Sequence, residues 1–345
     1  MLISDFDYQL PEELIAQRPT ARRDAARMLI LDRAERSWRD SRFAELPSSI
    51  AAGDVVVVNN TRVFPARLIG AREPTGGRVE LFLITEREPQ VWEALARPAR
   101  RLAPGARVSF GAGRLRAEVV EALDDGHRLL RFAADEPFER LLEELGQTPL
   151  PPYIKREGEA TEDDRQRYQT VYARERGAIA APTAGLHFTP QVLGELRARG
   201  AHVAEVTLHV GYGTFEPVRA TDLREHTVAP ERCRITEETA AIINQARARG
   251  SRILAIGTTT TRALESAVDE EGNVRAGARL AQLTITPGYR FRVVDALLTN
   301  FHLPRSSLLV LVASFAGRDL VLAAYRHAVA AQYRFYSYGD CMLIM

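Results

Sequence analysis

The stretch that decides the fold is Asp54-Val-Val-Val-Val58, followed at once by Asn59-Asn-Thr-Arg62. Four consecutive valines leave no polar face for water, and continuous β-branched runs of this kind are typical of strands buried on both faces. Such strands occur mainly in parallel sheets that helices cover on each side. The polar residues from Asn59 onward mark the place where the predicted strand ends.

Two further apolar runs extend this pattern along the chain. Arg252-Ile-Leu-Ala-Ile256 precedes a glycine and four threonines, and Leu308-Leu-Val-Leu-Val312 is a third candidate strand. Helical patterns bounded by capping threonine, proline or glycine are found over residues 190–199 and 236–249, and a further helical pattern covers residues 319–331. Buried strands alternating with helices predict an α/β fold, a layered domain with a mostly parallel sheet.

Residues 70 to about 136 follow a different pattern. Short strand-like segments recur at intervals of roughly 10 to 15 residues, with glycine-containing turns between them and no long helical pattern. These segments are 78–84, 91–95, 106–110, 115–120 and 128–132, and a helix is predicted over 137–145. We therefore predict a small antiparallel β-barrel domain, residues 70–149, inserted into a layered α/β domain formed by residues 1–69 and 150–345.

Composition excludes several classes of protein. The chain has 345 residues, of which 46% are hydrophobic, and its 46 basic and 45 acidic side chains leave a formal charge of +1. This excludes a protein that coats nucleic acid through bulk positive charge, but not a local basic patch. Two cysteines cannot form a disulfide framework. With no signal peptide and no apolar run near the ~20 residues of a membrane span, we expect a cytoplasmic protein without a membrane segment.

Two loops combine small residues with a single histidine. Ala180-Ala-Pro-Thr183-Ala-Gly185-Leu-His187-Phe-Thr189 fits a loop in which a ligand approaches the backbone while an imidazole faces it. Thr207-Leu-His-Val-Gly-Tyr-Gly-Thr-Phe215 follows a predicted strand in the same way. For each histidine, simple packing in the core is the alternative.

A third segment joins a strand to a helix through hydroxyl groups. Gly257 is followed by Thr258, Thr259 and two more threonines, and backbone amides and hydroxyls at a helix N-terminus favour an anionic group such as a carboxylate or phosphate. The segment matches neither a P-loop nor a dinucleotide-binding loop, so ATP and NAD are not indicated. Plain helix capping by the threonines remains the alternative.

The last quarter of the chain carries the densest group of functional side chains. Thr286-Pro-Gly288-Tyr289-Arg-Phe-Arg-Val-Val-Asp295 runs into Leu298-Thr-Asn300-Phe-His302-Leu-Pro-Arg305, which supplies stacking, hydrogen-bonding and charged groups together. Tyr333-Arg334-Phe-Tyr-Ser-Tyr338-Gly-Asp340 interleaves aromatic residues with an arginine, which suits unpaired bases; aromatic packing in a terminal strand is the alternative. No histidine spacing indicates a metal site.

Taken together and in this order, these segments closely resemble the S-adenosylmethionine:tRNA ribosyltransferase-isomerase family of queuosine biosynthesis. The segments that carry the resemblance are Ser4–Pro19, Asn59–Val63, Ala180–Thr189, Thr207–Gly211, Gly257–Thr259, Pro287–Tyr289, Thr299–Pro304 and Tyr333–Asp340. The resemblance implies transfer of the ribosyl part of S-adenosylmethionine to 7-aminomethyl-7-deazaguanine at the tRNA wobble position. Isomerisation then gives epoxyqueuosine, and adenine and methionine leave. It also implies a monomer with no metal or further cofactor.

On this resemblance, His187 and His302 are the leading candidates for proton transfer, with no assignment of base and acid, and Asp295 is a further catalytic candidate. The candidates for S-adenosylmethionine and base binding are Thr183, Gly185, Thr258, Thr259, Arg262, Gly288, Tyr289 and Asn300. The candidates for tRNA contacts are Asn59, Asn60, Arg62, Arg305, Arg334, Tyr338 and Asp340.

The sequence departs from the family at one point. The family commonly has two histidines ahead of a glutamate, whereas this chain keeps His226 and Glu231 but has Ala229 and Pro230 where the second histidine and its neighbour would fall. That imidazole is either dispensable or replaced elsewhere.

Two other functions remain open from the residues. One is an S-adenosylmethionine-dependent tRNA methyltransferase, although the glycine-rich loop usual in such enzymes is missing. The other is a non-catalytic tRNA-binding protein that uses the arginine-rich barrel as its RNA surface.

Overall fold

The computed structural model describes residues 1–156, 161–215, 218 and 220–345. Over these residues the strands form a nine-stranded mixed sheet, a seven-stranded antiparallel sheet and one short parallel pair. The strands are β1 (Arg27–Asp32), β2 (Ser37–Arg42), β3 (Val55–Asn59), β4 (Thr61–Val63), β5 (Arg67–Glu73), β6 (Gly77–Glu88), β7 (Val91–Arg97), β8 (Arg107–Phe110), β9 (Leu115–Ala122), β10 (His127–Ala134), β11 (Gly146–Gln147), β12 (Glu175–Ala178), β13 (His202–Leu208), β14 (Glu231–Ile235), β15 (Ile253–Ile256), β16 (Gly277–Ala281), β17 (Ala296–Asn300) and β18 (Cys341–Ile344).

Helices cover the faces of the large sheet and one end of the smaller one. The α-helices are α1 (Phe138–Leu145), α2 (Glu162–Arg167), α3 (Pro190–Ala198), α4 (Glu237–Ala248), α5 (Thr258–Glu265), α6 (Ser307–Ala316) and α7 (Arg318–Ala330). Short 3-10 helices lie at Ile3–Phe6, Glu12–Leu14, Arg23–Ala25, Phe43–Ser49, Ala99–Arg101, Gly111–Gly113, Asp124–Gly126, Thr183–His187 and Tyr212–Phe215.

The valine run lies at the centre of the large sheet, in the order β16-β14-β13-β3-β15-β17-β18-β1-β2. Strands β13, β3, β15 and β17 are parallel to their neighbours in this group. Val55 and Val57 pack into one hydrophobic cluster and Val56 and Val58 into another, because alternate side chains point to opposite faces. The prediction of a layered α/β domain with a strand buried on both faces is confirmed. The prediction of a mostly parallel sheet is wrong, because the strands β14, β16, β18 and β2 each pair antiparallel with at least one neighbour and make the sheet mixed.

One predicted strand is wrong. Leu308–Val312 lies inside helix α6, which begins after Ser306, whose hydroxyl accepts a hydrogen bond from the amide of Leu309 at 3.2 Å. A short apolar run has the same appearance in a buried strand and in a helix that is apolar all round. The serine cap and the continuation of the apolar run to Ala316 were the signals for a helix.

The other predicted helices are confirmed to within one residue at each end. Helix α4 begins after Thr236, whose hydroxyl accepts from the amide of Thr239 at 3.1 Å, and α3 begins after Thr189 in the same way. These side chains satisfy amides that the helix itself leaves unpaired. In the described part of the chain, no single helix is both long enough and apolar enough to span a membrane. Helices α6 and α7 taken together have that length and composition, but the chain bends by 115° between them.

The inserted barrel is also confirmed. Strands β5-β6-β7-β10-β9-β8 form a continuous antiparallel sheet that closes through pairing of β8 with β5, and β11 adds to the outside of β5. The barrel encloses its own hydrophobic cluster, to which helix α1 contributes Phe138, Leu141 and Leu142. A Cβ atom at Gly70 would lie 2.5 Å from both Phe110 and the carbonyl oxygen of Ser109. Closure of the barrel therefore requires glycine there.

Candidate active site

The polar segments of the sequence meet at one edge of the large sheet. The carboxyl ends of β3, β13, β15 and β17 lie together there, because these strands are parallel. Ligands of open α/β sheets bind at this edge. A cleft opens at this position between residues 180–184, the start of α5 and the residues Thr299, Asn300 and His302. Tyr336 and Ser337 also line it.

His302 lines this cleft and follows directly from strand β17. Its Nε2 atom lies 2.8 Å from the hydroxyl oxygen of Thr299, and its Nδ1 atom is buried and has no hydrogen-bond partner in the described chain. Burial lowers the pKa of His302 to about 3, so the imidazole is neutral near pH 7. If Nε2–H donates to Thr299, Nδ1 carries a free lone pair that accepts a proton.

Asn300 stands between the two histidines. Its amide nitrogen lies 3.3 Å from Nε2 of His187, while its Oδ1 atom is buried and has no partner among the described residues. His187 lies behind Asn300, outside the lining of the cleft, in a separate small pocket. Burial lowers the pKa of His187 to about 4, and a hydrogen bond to the backbone of Arg23 opposes this shift in part. The geometry thus brings His302, but not His187, to the cleft.

Thr258 and Thr259 line the cleft from the first turn of helix α5. The next two threonines turn inward, since the hydroxyls of Thr260 and Thr261 donate to the carbonyl oxygens of Ile256 and Gly257. The helix N-terminus therefore presents the first two hydroxyls together with its own free amides, which favours a carboxylate at this position. Both threonines also line a second chamber next to the cleft, and His226 and Arg262 are among its other lining residues.

Nearly the whole sequence matches the sequence model of a protein family. That family is described as queuosine biosynthesis protein, and the match covers residues 3–344.

The chain belongs to the queuosine biosynthesis protein family.

Similar proteins of this family carry a common name. The chain is 53% identical to the S-adenosylmethionine:tRNA ribosyltransferase-isomerase of Syntrophotalea carbinolica and 51% identical to that of Moorella thermoacetica, with all of each chain covered. It is also similar to the crystal structure of S-adenosylmethionine tRNA ribosyltransferase from Thermotoga maritima. There the identity is 36% and the TM-score 0.56, over 99% of this chain and 100% of that one. The resemblance found in the sequence is confirmed.

Three of the residues predicted to contact tRNA form hydrogen bonds within the chain. The side chain of Asn59 bonds to both the amide and the carbonyl of Leu208, and that of Asn60 bonds to Glu205 and Thr207. Both therefore tie β3 to β13. The carboxylate of Asp340 accepts from the amides of Arg27 and Arg334, each at 2.8 Å. Burial raises the pKa of this carboxyl group, and the two amides act against that shift.

Several predicted catalytic and substrate-binding residues lie away from the cleft. Asp295 is exposed just before the amino end of β17, the opposite end from His302, and its carboxylate accepts from the amide of Ile253. Tyr289, beside Gly288, donates its hydroxyl to Glu265 at 2.9 Å. The same carboxylate accepts three backbone amides from residues 292–294. The Pro-Gly-Tyr segment thus folds around a buried glutamate.

Arg262 is buried, and each of its three guanidinium nitrogens has at least one hydrogen-bond acceptor. Its guanidinium donates to Glu231 at 2.6 Å and to the carbonyl oxygens of Leu283, Ala229 and Ala281. The contact at position 229 uses the backbone, so alanine provides it as well as any other residue. The departure of this chain at Ala229 therefore leaves the Arg262 network complete.

The arginines predicted to contact tRNA differ in their surroundings. Arg62 and Arg305 are exposed, and Arg305 pairs with Asp7, its Nε atom lying 2.8 Å from the carboxylate. Arg334 is half-buried, donates to the carbonyl of Arg18 and lies within electrostatic range of His187. Tyr338 is buried, and its hydroxyl has no partner in the described part of the chain.

Three aromatic residues of the cleft were not among the predicted site residues. Tyr153 and Tyr168 come from the segment after the barrel, whose sequence carries no chemical motif. Tyr336 lines the cleft with a backbone φ of 72°, a conformation that a bulky side chain rarely adopts. Its ring packs edge-on against Tyr153 at 4.0 Å between centroids. Such strain concentrates at functional sites, and the unusual backbone is the signal that identifies this residue.

Gly185 is required for packing, whether or not a ligand approaches it. A Cβ atom there would lie 2.1 Å from the hydroxyl oxygen of Tyr172. We expect Gly185→Ala to lower the free energy of unfolding by about 1–3 kcal/mol, because the phenol has to move. The double variant Gly185→Ala/Tyr172→Phe removes the clashing oxygen but leaves Cγ2 of Thr170 at 2.8 Å from the new Cβ, so it should recover part of the loss in urea unfolding. Gly194, with no atom within 4 Å of its Cβ position, is the control: Gly194→Ala should not destabilise. Equal losses at both glycines would contradict this account.

The two buried histidines predict a pH dependence of stability. Their pKa values are lowered to about 3 and about 4 in the folded chain only, so between about pH 4 and pH 6.5 the unfolded chain binds more protons. The contribution of the two neutral, buried imidazoles to the free energy of unfolding is therefore complete above about pH 6.5 and is lost as the pH falls. Each should contribute a slope of about 1.4 kcal/mol per pH unit to the free energy of unfolding in this window.

Urea unfolding at several pH values checks this prediction. His187→Gln should reduce the slope, because it removes one of the two buried imidazoles. Identical slopes for wild type and the His187 variant would show that this histidine does not carry a lowered pKa.

The described residues contain no group of three or more histidine, cysteine, aspartate or glutamate side chains that could hold a metal ion. The donors of the cleft are hydroxyls, an amide and one imidazole, which bind organic groups by hydrogen bonding.

Proposed function

We propose that this chain is an S-adenosylmethionine:tRNA ribosyltransferase-isomerase. It transfers the ribosyl moiety of S-adenosylmethionine to 7-aminomethyl-7-deazaguanine at the wobble position of tRNA and isomerises it to epoxyqueuosine, with release of adenine and methionine. The main support for this activity is that relatives about 50% identical over the full length are named as this enzyme. The observation on this chain that supports it is His302, with a neutral, unpartnered Nδ1, in one cleft with Thr258, Thr259 and Asn300.

His302 is the base of the proposed reaction. The sulfonium charge acidifies the neighbouring 5′ carbon of the ribose, and Nδ1 accepts the proton removed there. A neutral imidazole becomes positive as the sulfonium becomes a neutral ylide, so the number of positive charges in the cleft stays constant. The burial that lowers the pKa of His302 in the free protein therefore opposes this transfer much less when the substrate is bound.

His187 is a positioning residue in this scheme. Its Nε2 atom lies 3.3 Å from the amide nitrogen of Asn300, which leaves Oδ1 of Asn300 as the free acceptor at the cleft. That oxygen accepts an N–H of the purine or deazapurine ring. Thr258 and Thr259, at the N-terminus of α5, hold the methionine carboxylate.

The aromatic lining protects the intermediate. Tyr153, Tyr168, Tyr336 and Leu308 surround the cleft with apolar surface, which excludes water until the amine of the wobble base attacks. Binding both substrates in one cleft supplies proximity, which lowers a barrier by up to about 7–11 kcal/mol in well-oriented reactions.

Further parts of the proposal concern the surroundings of the enzyme. We propose that the enzyme is a monomer in the cytoplasm and that it uses S-adenosylmethionine as its co-substrate without a further cofactor. We also propose that Arg62, Arg305 and Arg334 contact phosphates of the tRNA. The division into an α/β domain (residues 1–69 and 150–345) and an inserted domain (residues 70–149) also remains part of it.

The test mixes purified protein, S-adenosylmethionine and tRNA that carries the aminomethyl-deazaguanine, and analyses the nucleosides by mass spectrometry. We expect the mass of a modified ribosyl unit on the wobble base, with adenine and methionine in solution. S-adenosylhomocysteine and a methyl group on the RNA would identify a methyltransferase instead. Binding of tRNA without consumption of S-adenosylmethionine would identify a non-catalytic protein. The family of the chain supports neither alternative.

A further inference from the structure

A second, smaller pocket lies behind the cleft. It is lined by Arg23, Arg167, His187 and Tyr338, together with Ser337, which also lines the cleft. We call it the arginine pocket. The turn that contains Ser337 thus forms a common wall between this pocket and the proposed reaction site.

Among the described residues, the two arginines of this pocket have no carboxylate partner. Arg23 donates to the carbonyl oxygens of Leu186 and Gln166 at 3.1 and 3.0 Å, and Arg167 donates to those of Ala21 and Thr20 at 3.2 and 2.5 Å. Over the described residues, neither forms an ion pair within 4 Å. Carbonyl oxygens orient a guanidinium but leave its charge uncompensated.

Most basic residues of the larger cleft, between the barrel and residues 148–156, already have carboxylate partners. Arg67, Lys155 and Arg156 line it and pair with Glu80, Glu12 and Asp164 respectively. Arg97 also lines this cleft. The arginine pocket differs because its positive charges face each other. Burial and the charge of Arg167 lower the pKa of Arg23, and the charges of Asp163 and two tyrosines oppose that shift.

The pocket also presents hydrogen-bond donors without acceptors. Tyr338 is only 4% exposed, lines the pocket, and its hydroxyl has no partner among the described residues. The Nε–H of Arg167 is buried and has no acceptor there either. Buried polar groups are nearly always hydrogen-bonded, so an unpaired hydroxyl beside two unpaired cations points to a missing oxyanion.

We propose that Arg23, Arg167 and Tyr338 bind a phosphodiester of the tRNA anticodon loop, next to the nucleotide whose base enters the cleft. The RNA as the source of the oxyanion rests on the proposed function. A phosphodiester fits because guanidinium groups hold its two free oxygens in a forked geometry. Ser337 separates the two sites by one turn of chain, so that the phosphate bound here fixes the position of the neighbouring base.

The test measures binding, not turnover. Full-length wild type and the variants Arg23→Gln, Arg167→Gln, the corresponding double variant and Tyr338→Phe are titrated with fluorescently labelled tRNA at several NaCl concentrations. Calorimetry gives the affinity of each for S-adenosylmethionine. The control is Arg275→Gln, which removes an exposed arginine that pairs with Asp269. Thermal unfolding of each variant reports folding.

The double variant should bind tRNA at least about tenfold more weakly, since a hydrogen bond to a charged group typically contributes about that factor. Each lost arginine contact should reduce the slope of log affinity against log salt by up to about 0.7. Tyr338→Phe keeps the packing and removes a hydrogen bond to the same charged group but no charge, so it should weaken tRNA binding about tenfold with little change in the salt slope. The affinity for S-adenosylmethionine should change less than twofold in all of them, and the control should resemble wild type.

Unchanged tRNA affinity and salt slope in the folded Tyr338→Phe and arginine variants would overturn the proposal. So would a loss of affinity for S-adenosylmethionine alone, because the oxyanion would then be the methionine carboxylate. If wild type makes no epoxyqueuosine while the variants still lose tRNA affinity, the proposed function fails and the phosphate site stands.

Discussion

Replacement of His302 by alanine is expected to lower the single-turnover rate on pre-bound tRNA by about 10²–10⁴-fold, the usual contribution of a positioned general base. The side chain is buried at the cleft, is neutral at pH 7, and carries the free Nδ1 atom. Its loss removes the proton acceptor but leaves Thr258, Thr259 and the aromatic lining in place. The affinity for S-adenosylmethionine should therefore change much less than the rate.

His187 provides the matched comparison. Because it acts through Asn300, His187→Ala should also slow the reaction, whereas His187→Gln, which still offers an acceptor to the amide of Asn300, should recover much of the rate. No such recovery is expected for His302→Gln, since a neutral amide does not accept the proton. A near-wild-type single-turnover rate for His302→Ala would contradict the assignment.

Removal of the carboxylate of Glu231 should cost about 3–5 kcal/mol of unfolding free energy, the largest loss of stability that we expect from a single substitution outside the apolar core. The ion pair with Arg262 is about 95% buried on both sides. Glu231→Ala leaves a guanidinium in the interior with only carbonyl oxygens around it. Urea unfolding of the variant measures the loss.

Two controls separate this effect from a general loss of contacts. The double variant Glu231→Leu/Arg262→Met replaces both charges by apolar groups of similar size and should be much more stable than Glu231→Ala. Asp222→Ala breaks the ion pair with the exposed Arg224 and should destabilise the fold far less than Glu231→Ala, because solvent screens exposed ion pairs. If Glu231→Ala cost no more than Asp222→Ala, the buried pair would not stabilise the fold.

The fold was predictable where sequence patterns are local. The valine run, the capped helices and the short-period strands each carry their structure in neighbouring residues, and the structure agrees with them. Leu308–Val312 was wrong because an apolar run of five has no period of its own, and Ser306 decided the outcome. Strand β5 was not predicted, because Gly70 and the charged residues after it interrupt the alternation of polar and apolar residues that indicates a strand. Its register is set by pairing with β8, which closes the barrel.

Part of the site was predictable because its residues lie at the ends of strands that the sequence indicates. His302, Asn300, Thr258 and Thr259 follow the carboxyl ends of buried parallel strands, and the topology of the sheet brings them together. Asn59, Asp340 and Tyr289 have the same polar character, yet their hydrogen bonds to distant backbone groups show only in three dimensions. Tyr153 and Tyr168 reach the cleft from a segment without a motif. Sequence patterns do not encode such long-range contacts.

The central claim is that one cleft binds the sulfonium nucleoside beside the wobble base while His302 removes a proton from the carbon next to sulfur. S-adenosylmethionine with two deuterium atoms on its 5′ carbon tests this claim in a single turnover with tRNA, followed by mass spectrometry of the wobble nucleoside. We predict that wild type gives a nucleoside with one deuterium, formed more slowly than with the unlabelled substrate, and that His302→Ala forms almost none. A modified nucleoside that retains both deuterium atoms would contradict the account.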